Sequence, residues 1–134
     1  MPLLLDTGAL YALADADDAW HGRMRNFLRG QRRSLLVPVA VIPEAAYLIR
    51  TRLGTKAENL FAESLASGEI TIEGLAHADL RRCVELLETY DFLGFVDASV
   101  VALAERLKLR SFVTTDRRDF GRVRPRHGAF ELLP

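Results

Sequence analysis

Leu3-Leu4-Leu5-Asp6-Thr7-Gly8-Ala9-Leu10 opens the chain with three consecutive apolar residues that run directly into an acid. A short run without polar alternation suits a strand buried on both faces, and Gly8 to Asp15 then reads as a helical turn or two. The arrangement recurs. Leu35-Leu36-Val37, closed by Pro38, reads as a second strand, Ile70-Thr71-Ile72 as a third, Ser111-Phe112-Val113-Thr114 as a fourth and Phe130-Glu131-Leu132 as a fifth. Helical spacing of apolar residues fills the intervals. It spans Trp20 to Leu28, Val39 to Leu53 with Pro43 in its first turn and Gly54 ending it, Lys56 to Leu65 stopped by Gly68, Ala78 to Leu87, and Asp97 to Leu109. Short strands alternating with longer helices predict an α/β fold with a mostly parallel, roughly five-stranded sheet covered on both faces.

The 134 residues are one domain's worth, and 49% are apolar, enough for a real core without staples. No unbroken apolar run reaches the roughly 18 residues of a membrane span. Met-Pro-Leu-Leu-Leu-Asp lacks the basic start of a secretory signal, and the lone Cys83 cannot close an internal disulfide. These features predict a cytoplasmic protein with no membrane association. A formal net charge of zero argues against a broad basic face. Arginines nevertheless cluster, with five from Arg23 to Arg33 and six from Arg110 to Arg126.

In an open parallel sheet the ligand sits beyond the carboxyl ends of the strands, where strand order reverses. Asp6 follows the first strand and Asp116 the fourth. Glu44 lies near the start of the helix after the second strand, and Asp97 at the start of the helix leading to the fourth. Each has a plain structural use: Asp6 or Asp97 as a helix N-cap, Glu44 at the positive end of its helix, Asp116 in a turn. Capping does not require three or four acids at one sheet edge, however. Two carboxylates about 4 Å apart repel by roughly 4 kcal/mol at an effective dielectric near 20. Four together require a proton or a cation. An all-oxygen set without Cys or paired His suits Mg²⁺ or Mn²⁺ rather than zinc, and such an ion can activate water against a phosphodiester.

Four stretches, Leu4 to Leu10, Val41 to Leu48, Gly94 to Ala104 and Thr114 to Phe120, together resemble the PIN-domain ribonucleases, most closely the toxin subunits of VapBC-type toxin–antitoxin pairs. The resemblance runs nearly end to end and implies a three-layer α/β/α sandwich. It implies Mg²⁺ (or Mn²⁺) held by Asp6, Asp97 and Asp116, with Glu44 binding metal or positioning water. Thr7 and Thr114 match the hydroxyl positions flanking the first and last acids; turn and capping hydrogen bonds are the simpler reading of both. Asp119 matches a further acid in some of these sequences, and an acid at a helix N-terminus explains it more simply. The resemblance also implies RNA as substrate, a homodimer, and an antitoxin covering the acid pocket. Arg117 and Arg118, beside Asp116, are candidate phosphate contacts.

His21, His77 and His127 lack ligand spacing and read as surface or packing residues, Cys83 as buried, and Trp20 and Tyr47 as core or interface. Two other functions compete with the ribonuclease. One is a phosphatase using Asp6 as nucleophile, although such enzymes resemble Asp-x-Asp and position 8 is Gly. The other is a PIN-like binding or scaffold module that has lost catalysis.

Overall fold

In a computed structural model describing residues 1–134, all five strands form one parallel sheet. β1 is Leu3–Leu5, β2 Leu35–Pro38, β3 Ile70–Glu73, β4 Ser111–Val113 and β5 Glu131–Leu133, in spatial order β3-β2-β1-β4-β5. Every neighbouring pair is parallel, with Leu4 opposite Leu36 on one side and Phe112 on the other. The fully apolar β1 is therefore the central strand, and its three leucines are all but inaccessible to water.

Seven helices flank the sheet: α1 Thr7–Ala14, α2 His21–Arg29, α3 Val41–Leu53, α4 Thr55–Ala66, α5 His77–Thr89, α6 Phe95–Leu107 and α7 Arg117–Arg122. The chain winds outward from β1 through β2 to β3, then returns across the sheet to β4. Right-handed crossovers place the helices of the two legs on opposite faces. Accordingly α1 packs with α2 and α3, and α3 with α4, while α5 packs with α6. Strand order reverses between β1 and β4, which sets the crevice at the carboxyl ends of these two strands.

Several boundaries move from those read in the sequence. α3 starts at Val41 because Val39 and Ala40 form a turn, with the Ile42 amide donating to the Val39 carbonyl at 3.2 Å. α6 starts at Phe95, with extended Gly94 as its N-cap, so Asp97 is its third residue and not its cap. α7 lies in the arginine-rich stretch, where too few apolar residues recur to mark a helix. From Ala98 to Ala104 every residue of α6 is buried, wider than the single stripe expected, because small Ala and Ser side chains let neighbours approach all round. Gly54 does end α3, with φ of 97° that a side chain would resist. No helix is long and apolar enough to cross a membrane.

Candidate active site

The β1–β4 crevice is closed by a chain of hydrogen bonds. Asp6 caps α1, its Oδ1 accepting from the Ala9 amide at 2.8 Å. Its Oδ2 accepts from the Thr114 hydroxyl at 2.6 Å, and Thr114 Oγ1 in turn accepts from the Asp116 amide at 2.9 Å. Asp116 caps α7 through the Asp119 amide at 3.0 Å. The capping expected of Asp6 and the turn expected of Asp116 are thus present, and the same bonds fix both carboxylates at the sheet edge. Thr114 is the bridge between them. Thr7, by contrast, makes no capping bond, and its buried hydroxyl has no partner.

Burial raises the Asp6 carboxyl to about 7 against the two hydrogen bonds it accepts, with the charges of Asp97 and Asp116 adding to the rise. Burial likewise raises Asp97 to about 6, helped by Asp116, Glu44 and Asp119. Asp6 therefore feels the charges of Asp97 and Asp116, and Asp97 those of Asp116, Glu44 and Asp119. Glu44 stands exposed in the first turn of α3, whereas Asp97, Asp116 and Asp119 are half-buried. No cationic side chain pairs with any of them. Asp79 shows the alternative: it is just as buried as Asp6, but Arg106 meets it at 3.0 Å.

As the side chains stand, no three His, Cys, Asp or Glu groups are gathered tightly enough to be a ready-made metal cage. Mutual charge effects and cage geometry answer different questions. Mg²⁺ keeps several waters and needs only one or two direct carboxylates. Desolvated acids without a cation, an all-oxygen donor set and the unpartnered Thr7 hydroxyl fit such a hydrated hard ion.

Gly8 gives the crevice its closeness. A Cβ there would come within 2.5 Å of Thr115 Oγ1, so the second acid of an Asp-x-Asp nucleophile site could not be seated unless Thr115 moved. The arginines beyond Asp116 divide. Arg122 lies over the Phe92 ring, Arg124 donates to backbone carbonyls, and Arg126 pairs with Glu85. Arg117 and Arg118 remain exposed and unpaired with any carboxylate. His21 and His127 bond backbone carbonyls and Cys83 is buried, as expected. Tyr47 is 68% exposed and so is not a core residue. Trp20 is half-buried under two guanidinium groups, an arrangement that sequence spacing did not reveal because one of them comes from α7.

Thr114→Val is expected to leave a buried Asp6 oxygen and the Asp116 amide without their partner, at about 1–3 kcal/mol of stability. Urea unfolding measures this. Thr114→Ser should recover most of the loss, whereas equal losses in both variants would mean that the methyl group, not the hydroxyl, matters.

A parallel sheet carries these acids at its switch point, and the family model for the PIN domain matches residues 3–124. The chain belongs to the PIN-domain family. Within it the chain is VapC-like. It is 31% identical over 135 residues to Ribonuclease VapC26 of Mycobacterium tuberculosis, covering 98% of this chain and 100% of that protein. Among solved structures it is similar to Mycobacterium tuberculosis VapC20, described as a sarcin-ricin loop cleaving toxin, with a TM-score of 0.81 and 22% identity over 87% of this chain and 91% of that one. It is also similar to VapBC2 from Rickettsia felis, bound to a DNA fragment from their promoter, with a TM-score of 0.74 and 14% identity over 100% of both chains.

Proposed function

We propose that this protein is a divalent-metal-dependent endoribonuclease that acts in the cytoplasm as the toxin of a toxin–antitoxin pair. The observation that carries the reading is the set of mutually repelling, cation-free acids at the β1–β4 crevice. Asp6, Asp97 and Asp116 would hold Mg²⁺ or Mn²⁺. When bound, the ion supplies a water of lowered pKa and charge neutralisation at the phosphodiester. Asp6 is fixed by the Ala9 amide and the Thr114 hydroxyl, so it presents its carboxylate without reorganising. Asp116 is oriented by the Asp119 amide. Asp119 adds negative charge near Asp97 and acts as a supporting residue. Glu44, exposed in the first turn of α3, would orient the attacking water or meet the ion.

An antitoxin is the partner this reading requires. An apolar groove of about 420 Å³, lined by Leu10, Leu13, Leu60, Phe61 and Ile70 among others, supports a protein partner on the α1–α4 side. A homodimer belongs to the same reading, and the exposed Leu80, Val84 and Leu87 on α5 give it apolar surface to cover.

The test is cleavage of a cellular RNA pool with mapped ends. Cutting should require Mg²⁺ or Mn²⁺ and stop with EDTA. A protein that binds an antitoxin but leaves RNA intact would be the scaffold instead. One that forms a phosphoaspartate at Asp6 would be the phosphatase, which the Gly8 contact already disfavours.

A further inference from the structure

We propose that Trp20, Arg23 and Arg117 form a platform that docks the single-stranded RNA flanking the scissile phosphate. This rests on the ribonuclease reading and adds Trp20 and Arg23 to it.

Trp20 is the N-cap of α2. Its amide donates to Asp18 Oδ1 at 2.8 Å, and its carbonyl accepts from the amide of the wholly buried Met24 at 2.8 Å. The residue is thus anchored through its backbone and is half-buried. Two guanidinium carbons lie over that ring: Arg23 from α2 at 4.7 Å from the centroid, and Arg117 from α7 at 5.7 Å. Distant parts of the chain therefore converge on one aromatic ring.

The charge arithmetic makes this more than a surface contact. A cation over an exposed ring is worth about 0.5–1 kcal/mol. A second cation on the same ring introduces repulsion, and neither arginine has a carboxylate partner to relieve it. Arg50, Arg82, Arg106 and Arg126 are each paired with an acid, and Arg23 and Arg117 are among the twelve arginines that are not. The unpaired positive charge at Trp20 suits an anion, and Arg117 is the chain neighbour of Asp116.

Polyanionic RNA approaching the acids at the sheet edge is repelled unless nearby cations hold its backbone. Arg23 and Arg117 supply that hold, since phosphate contacts set the position of a strand. The open part of the indole supplies a stacking face, which every base can use. The platform thus registers the strand beside the acids without reading its sequence.

Trp20 is the chain's single tryptophan, so its emission reports this position alone. In the cleavage-silent Asp97→Asn protein with Mg²⁺ present, a short single-stranded RNA of mixed sequence should quench it saturably. In the otherwise native protein with Mn²⁺, Arg23→Gln and Arg117→Gln should each raise KM several-fold with little change in kcat. Each should also lower the slope of log affinity against log salt by about 0.7. Trp20→Leu should raise KM, and Trp20→Phe should restore it in part. Cutting that persists with KM and salt slope unchanged in the double arginine variant, or emission unmoved at saturating RNA, would overturn the platform and leave the ribonuclease reading intact. A folded protein that cuts no RNA under any metal condition would overturn both.

Discussion

Asp6→Asn is expected to reduce metal-dependent RNA cleavage by about 10²–10⁴-fold while leaving the metal-free protein no less stable at pH 8. The two effects have one origin. The Asp6 carboxylate is desolvated and sits among other acids, which is why its ionisation is pushed up to about 7. Its charge is unfavourable to the fold and useful only when a cation arrives. Asparagine keeps the local bonding, because its carbonyl can accept from the Ala9 amide and its NH₂ can donate to Thr114 Oγ1. Single-turnover cleavage and thermal unfolding of the same preparation measure both sides. Lost activity accompanied by a large fall in Tm would point to a structural carboxylate and overturn the assignment. Asp97→Asn should behave similarly, and Glu44→Gln should lower activity without changing stability, since Glu44 is exposed.

Without divalent metal, the protein should unfold at a higher temperature at pH 5 than at pH 8. In the unfolded chain an aspartate titrates near 3.8; in the fold Asp6 does so at about 7 and Asp97 at about 6. The native state therefore holds protons that the unfolded state has released. The resulting stability is fully present below about 4 and is lost as pH rises through about 6 to 7. Two such groups are worth a few kcal/mol, on the order of 10 °C in Tm for a chain of this size. Asp15 and Glu105, held below their usual range chiefly by the Tyr11 hydroxyl and by Arg82 respectively, act in the opposite direction. Their contribution fades only as pH falls through their lowered values, below the window of interest. Saturating Mn²⁺ or Mg²⁺ should raise Tm at pH 8 and do little at pH 5, where protons compete for the same oxygens. A Tm that is flat from pH 5 to 8 in EDTA and indifferent to metal would remove the electrostatic basis of the site.

The fold was legible because its strands are apolar runs too short for helices. Leu3–Leu5, Leu35–Val37 and Ser111–Thr114 each lie within one residue of the observed strand, and the parallel sheet follows from the helices between them. Helix starts were harder to read. The third-residue position of Asp97 depends on Gly94 adopting an extended conformation, which composition alone does not dictate. The arginines after Asp116 look alike in sequence, yet Arg117, Arg122 and Arg126 meet Trp20, Phe92 and Glu85 from distant parts of the chain, Arg124 meets local carbonyls and Arg118 stays exposed. The four acids could be named from their places after strands and near helix starts. That Thr114 is the bond joining Asp6 to Asp116 could not, because the contact spans 108 residues.

The unbroken burial of α6 from Ala98 onward gives the crevice two unlike walls. Asp97 stands immediately before the buried run Ala98 to Ala104, which ties its helix into the core. Glu44 is an exposed side chain on a turn whose Val41 and Ala45 are buried, and Asp116 caps a six-residue helix that begins with two exposed arginines. Adjustment to an incoming strand is therefore expected in the Glu44 side chain and around Asp116, with Asp97 as the fixed point.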